Sequence, residues 1–149
     1  MQKEKNEKQL LEEIFKNIDM GMQSINDITP KVKNTDLKKE LARMYENYDK
    51  IATQARVLVD EEKLDIKTSH PFKKAMLWSS IQLNTMKDNS TNHILGMLIQ
   101  GCAMGYASLI DVAQTSTKKD GKIYKLAKEL IEIEQNDEKR LTALLSATK

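Results

Sequence analysis

Between Asp88 and Asp111 the chain carries no Asp, Glu, Lys or Arg, in a protein where these four types make up 31% of residues. As a helix, Asn92–Val112 extends for roughly 30 Å at 1.5 Å per residue. Its apolar side chains (Ile94, Leu95, Met97, Leu98, Ile99, Cys102, Met104, Leu109 and Ile110) fall on nearly every side. Such a helix is expected to be enclosed, because a surface helix needs one polar face. Whatever else the chain forms must therefore cover this segment.

Four further segments have the pattern to do so. Residues 7–32 place Leu11, Ile14, Ile18, Gly21, Ile25 and Ile28 at spacings of three and four, the signature of an amphipathic helix. Pro30 disturbs its last turn, since proline lacks the amide donor. Asn34 or Thr35 then caps a second helix, with Asp36 well placed in the first turn. Its stripe is Leu37, Leu41, Met44, Tyr48, Ile51, Ala55 and Leu58, fading near Glu62. After the connector KLDIKTSH, Pro71 starts a short helix presenting Phe72, Ala75, Met76, Leu83 and Met86. Ser90 caps the charge-free helix, which runs to about Thr115. Asp120 or Thr117 caps the last helix, which extends to about residue 146 and carries Ile123, Ala127, Leu130, Glu134, Asp137, Leu141 and Leu144 on its stripe.

At 149 residues with five Gly and two Pro, the chain reads as one all-α domain able to enclose its own core. The charges, 24 basic and 22 acidic, alternate along the helices and read as solvated faces, which excludes a nucleic-acid stripe. Asn92, His93, Gln100 and Ser108 argue against a membrane span for the apolar stretch, although its length would suffice. The start, MQKEKNEKQL, has no apolar signal region, so a cytoplasmic address is expected. Cys102, the lone cysteine, reads as a small buried hydrophobe with no electropositive neighbour to activate it. The eight methionines, spread over every element, read as adaptable core filling.

A weak internal repeat runs through this pattern. Met20-Gly21-x-x-Ser24-Ile25-x-Asp27 matches Met104-Gly105-x-x-Ser108-Leu109-x-Asp111, each pair 84 positions apart. Glu46-x-x-Asp49 matches Glu134-x-x-Asp137 at a spacing of 88. Two matches in the same order suggest a duplicated helical hairpin. The stretches IDMGMQSINDITPKVKNTDLKKEL, MKDNSTNHILGMLIQGCAMG and ELIEIEQNDEKRL resemble small bacterial proteins of the ferritin-like superfamily. That resemblance implies a four-helix bundle in up-down-down-up order, with an extra short helix in the crossover between the second and third bundle helices. Di-iron members of the superfamily bring one Glu from each of two helices and a Glu-x-x-His from each of the other two. Here both motifs are E-x-x-D, and Gly21 and Gly105 stand where a ligand Glu would be sought.

The chemical anomaly is the pair Glu134 and Asp137, because both lie on an apolar stripe. A carboxylate buried there must be paired, hydrogen-bonded, protonated or metal-bound. Structural partners for the pair are sought among Tyr48, Gln100, Ser108 and a lysine. Gly21, Gly101 and Gly105 ask for a packing reason, since glycine inside a helix costs roughly 0.5–1 kcal/mol relative to alanine. Close helix approach is the expected one, with the two Met-Gly pairs meeting near a pseudo-twofold axis. Asp88–His93 reads as capping chemistry, and Tyr45, Tyr106 and Trp78 as packing.

The sequence thus points to a non-enzymatic bundle acting through self-association or partner binding, with a homo-oligomer as the simplest form of the first. The competing reading is a metal or redox site built from Glu134, Asp137, Asp49 and Asp111. Lacking imidazole, that site would suit a divalent cation such as Mn, Mg or Ca.

Overall fold

The computed structural model describes residues 2–66 and 90–147, with side chains from Asn6 onward. It is all-helical, and its described residues form four long helices and no strand. They are α1 (Gln2–Ile28), α2 (Thr35–Glu62), α3 (Thr91–Ala113) and α4 (Lys122–Ala147), with a single 3-10 turn at Thr29–Lys31. The short helix expected at residues 72–87 lies outside the described residues.

Local chemistry sets the helix ends. Pro30 falls within the 3-10 turn, and α1 has already stopped at Ile28. The Asn34 side chain caps α2 by accepting a hydrogen bond from the Leu37 amide at 3.0 Å. Ser90 does the same for α3, accepting from the His93 amide at 3.3 Å. Lys63 ends α2 in the left-handed conformation, where its amide reaches the Val59 carbonyl. The start of α4 departs from expectation. Neither Asp120 nor Thr117 caps it, and its first turn is opened by the Gly121 carbonyl, which accepts from the Lys125 amide.

Polar contacts fix how the helices run. The Asn6 amide donates to the Thr115 carbonyl, Ser108 to Glu13, and the Asn17 amide to the Gly105 carbonyl. As residue numbers rise on α1 they fall on α3, so this pair is antiparallel. Arg43 with Asp137, Glu40 with Arg140 and Glu61 with Lys122 make α2 and α4 antiparallel in the same way. The stripes read from sequence meet at the centre. Leu11, Ile14, Ile18, Leu37, Leu41, Ile51, Leu95, Leu109, Leu130 and Leu141 are among the side chains that lose all or nearly all contact with solvent.

Two expectations about α3 are corrected. Ile94, Leu95, Leu98, Cys102, Leu109 and Ala113 are buried, but Met97 and Ile99 are only half covered and Met104 is 54% exposed. This is the one described helix long and apolar enough to cross a membrane by length and composition, and 28% of its most apolar window is buried. The helix is thus one-sided after all, with an outer face kept free of charge. The glycines also divide. A Cβ on Gly101 would meet nothing within 4 Å, so among the described residues the Gly101-x-x-x-Gly105 spacing does not mark a helix crossing. A Cβ on Gly21 would lie 2.6 Å from the Tyr48 ring, and one on Gly105 would strike the Glu134 carboxyl and sit 2.8 Å from Asn17 Oδ1. The two Met-Gly pairs thus receive side chains from α2 and α4, and the close approach is helix to side chain.

This contrast is testable by chemical denaturation. Gly101→Ala should raise stability by about 0.5–1 kcal/mol, the ordinary helix preference for alanine over glycine. Gly105→Ala, made on the same helix one turn later, should lower it by about 1–3 kcal/mol through overpacking.

Candidate functional site

Helix α4 carries its two acids into the core because the stripe leaves them no alternative. Glu134 and Asp137 follow Leu130 by four and seven residues, so they share its face, and they are 1% and 0% exposed. Each has a different answer to burial. Asp137 accepts a hydrogen bond from the Arg43 guanidinium of α2 at 2.8 Å. Arg43 is also held by Glu40, and Glu40 in turn takes Arg140 at 2.6 Å. The result is a run of alternating charges from the core to the surface between α2 and α4. Burial still raises the Asp137 carboxyl above its ordinary range, with Arg43 opposing it. Asp137 Oδ2 has no hydrogen-bond partner.

Glu134 has no such cation. Its Oε1 is buried without a partner. Burial, reinforced by the negative charges of Asp137 and Glu13, pushes its carboxyl from the usual range near 4.5 up to about 9. Glu134 is therefore a neutral acid at pH 7. Room for it comes from Gly105, whose missing Cβ leaves the space that the carboxyl occupies. Tyr48 plays the corresponding part in the first hairpin, where its ring fills the space beside Gly21. The sequence repeat had matched Glu134 to Glu46, but Glu46 is exposed, and in three dimensions the residue in that role is Tyr48.

A cavity of about 360 Å³ opens between α1 and α3 above these groups. Its walls are apolar and flexible: Met20, Met44, Met97, Met104, Leu98, Ile25 and Ile28. Tyr48, Cys102, Gly105, Asn17 and Glu134 line it, together with the more exposed Glu13, Lys16, Gln23, Gln100 and Ser108. Two of the polar groups hold each other, as Ser108 donates to Glu13 across the helix pair. Burial raises the Cys102 thiol, and the acids of α4 raise it further, so it stays protonated and is no nucleophile. Tyr48 is likewise raised, first by burial and then by Glu134.

The four proposed metal ligands do not converge. Glu134 and Asp137 are buried on α4, whereas Asp49 and Asp111 are exposed on α2 and α3. Among the described residues no group of three or more His, Cys, Asp or Glu is arranged to hold a metal ion. The physical reason is register: Asp49 follows Tyr48 around α2 by one residue, about 100°, and so leaves the inner face. The partners sought for the acids were also different from those found. Asp137 takes Arg43, Ser108 takes Glu13, and Asn17 and Glu13 were not singled out by sequence. A signal for Arg43 existed, because only three of the 24 basic residues are arginine and one of them flanks the α2 stripe. Of the segment Asp88–His93, Asp88 and Asn89 lie outside the described residues, and Ser90 acts as the cap.

Comparison with known proteins returns no match: no family model fits the chain, and neither a curated protein nor a solved structure is similar to it. The chemistry of the site must therefore be argued from its own residues.

Two measurements check this geometry. Arg43→Met strands Asp137 and should cost about 3 kcal/mol, the lower end for breaking a buried pair because the guanidinium is partly solvated. The double variant Arg43→Met, Asp137→Leu should recover most of that loss. The second check is pH. The folded protein keeps a proton on Glu134 that the unfolded chain gives up above its ordinary range. The stability from this group is complete below about pH 4.5 and is lost as pH rises through 9. Urea midpoints should fall over that interval, and Glu134→Gln, an uncharged isostere, should flatten the decline.

Proposed function

We propose that this protein is a non-enzymatic, ferritin-like four-helix bundle that works by binding, and that the cavity between α1 and α3 is where it binds. The observation that carries the reading is the cavity itself. About 360 Å³ lies within the range of small-molecule sites, and methionine walls around a few polar groups are the usual composition of one. The ferritin-like plan is supported by the two antiparallel contacts, α1 with α3 and α2 with α4. If each hairpin is antiparallel, α2 and α3 run in the same direction, giving the order up-down-down-up. The carboxylate-rich metal reading draws no comparable support, since Asp49 and Asp111 are exposed.

A second reading, self-association, is favoured by the outer face of α3. Met104 is half exposed, Gly101 is open, and no charge stands between Ser90 and Ile110 to repel a second copy. Sedimentation equilibrium decides it. A dimer weakened by Met104→Lys supports it, and a monomer at every concentration removes it.

The cavity reading is tested by a nuclear magnetic resonance titration with 2-phenylethanol, a neutral apolar probe. Saturable shifts should cluster on α1 and α3 around Met20, Met97 and Gly105. Ser24→Phe, which puts a ring into the cavity from the half-buried Ser24 of α1, should abolish them. Shifts that are absent, or that survive Ser24→Phe, overturn it.

A further inference from the structure

The polar end of the cavity has a bias that its walls do not share. The Asn17 amide is spent on the Gly105 carbonyl at 2.8 Å, which leaves Asn17 Oδ1 as an acceptor. That oxygen and Glu134 Oε2 together fill the space a Gly105 Cβ would need, so the two residues stand side by side at the end of the cavity, with the other carboxyl oxygen behind. Glu134 Oε1 has no partner, although the residue is 1% exposed. A buried polar atom without a partner is rare, and each one asks for a reason. Arg43, the cation that reaches α4 from α2, is committed to Asp137 and Glu40. The deep end of the pocket therefore presents a carboxyl and an amide oxygen with no uncommitted cation beside them among the described residues, while its sides are apolar.

We propose that the α1–α3 cavity takes a small apolar molecule bearing one primary amine, with the ammonium seated between Glu134 and Asn17 Oδ1 and the apolar body among Met20, Met97 and Met104. This deepens the binding reading above and rests on it. An ammonium offers three donors and a positive charge, which match an unpaired carboxyl and a neighbouring carbonyl. The size is suitable: a cavity of about 150 Å³ accommodates benzene, so 360 Å³ has space for a ring and a short aminoalkyl chain. A carboxylate ligand is disfavoured, since Arg43, the cation near this end, is committed to Asp137 and Glu40 and leaves a buried anion without a counter-charge.

The proposal also sets the proton balance. Free Glu134 is protonated near neutral pH. Seating an ammonium converts it to the carboxylate and releases its proton to solvent. Other titratable and charged groups around it are Glu13 and Lys16 on α1, Tyr48 and Arg43 on α2, Cys102 on α3 and Asp137 on α4 itself. Tyr48 and Cys102 are raised and stay neutral, and Arg43 and Asp137 compensate each other. Affinity should thus rise up to tenfold per pH unit from neutrality towards pH 9, with Glu134 as the group responsible.

Isothermal titration calorimetry of the full chain with 2-phenylethylamine, 2-phenylethanol and 3-phenylpropionate tests this. The amine should bind one to one, at least tenfold more tightly than the alcohol, and the carboxylate should bind weakest. Paired buffers of different ionisation enthalpy should show close to one proton released per amine bound at pH 7. Glu134→Gln should erase both the proton release and the preference for amine over alcohol while keeping alcohol binding. An amine that binds no better than the alcohol, or binds without proton release, overturns the proposal and leaves the cavity reading standing. If none of the three probes binds up to its solubility limit, both fall. The proton count needs only the native sequence, so a Glu134→Gln protein that failed to fold would not remove the test.

Discussion

The contact between Gly105 of α3 and the Glu134 carboxyl of α4 is the constraint around which this bundle is assembled. Burial raises that carboxyl, and among the described residues no arginine or lysine is paired with it, so it persists as a protonated acid. It fits only because α3 presents a bare backbone at that turn. Asn17 of α1 closes the same spot by bonding to the Gly105 carbonyl, so three helices are registered at one point. One helical turn further along α4, the opposite solution is used: Asp137 is given a guanidinium, and the pair is continued outward by Glu40 and Arg140. Two buried acids three residues apart are thus accommodated differently by their surroundings, one without a partner for its Oε1 and one paired with a guanidinium.

That difference separates the two long seams of the bundle. The α2–α4 seam is laced by ion pairs from Glu40 to Lys122, with a shallower hollow beside Val57 and Leu126 at its Glu61–Lys122 end. The α1–α3 seam has its hydrogen bonds at Asn6, Glu13 and Asn17, yet it gapes where small residues and methionines face each other. Glycine at positions 21, 101 and 105 removes side-chain volume, and methionine supplies walls that can adjust to different shapes. A cavity beside an unpaired acid is the local conflict on which the binding proposal rests, within a fold whose described residues are otherwise consistent from local pattern to packing.

A di-iron site needs carboxylates from all four helices meeting in one place. Among the described residues the fully buried acids, Glu134 and Asp137, come from one helix, and the inner positions packed against Glu134 and Tyr48 are glycine and asparagine. The interior at this level is a pocket walled largely by methionine.

Much of the architecture was legible in the order of residues. The four long helices, the buried stripes, the caps at Asn34 and Ser90 and the burial of Glu134 and Asp137 all follow from a 3.6-residue period, because a side chain's face is set by its position along its own helix. What sequence could not decide is which faces meet. Periodicity put Gly101 and Gly105 in the same category, and only the placement of α4 shows that one is open and the other roofed by a carboxyl. It likewise matched Glu46-Asp49 to Glu134-Asp137, although these pairs sit on opposite sides of their helices relative to the core. The charge-free stretch was read as enclosed on all sides, yet the described helices cover one side of it. Asn17 and Glu13 were invisible for the same reason, and the partner of Arg43 was too: each flanks a stripe, and whether a flanking residue reaches inward depends on the distance and rotation of the neighbouring helix, which local spacing does not encode.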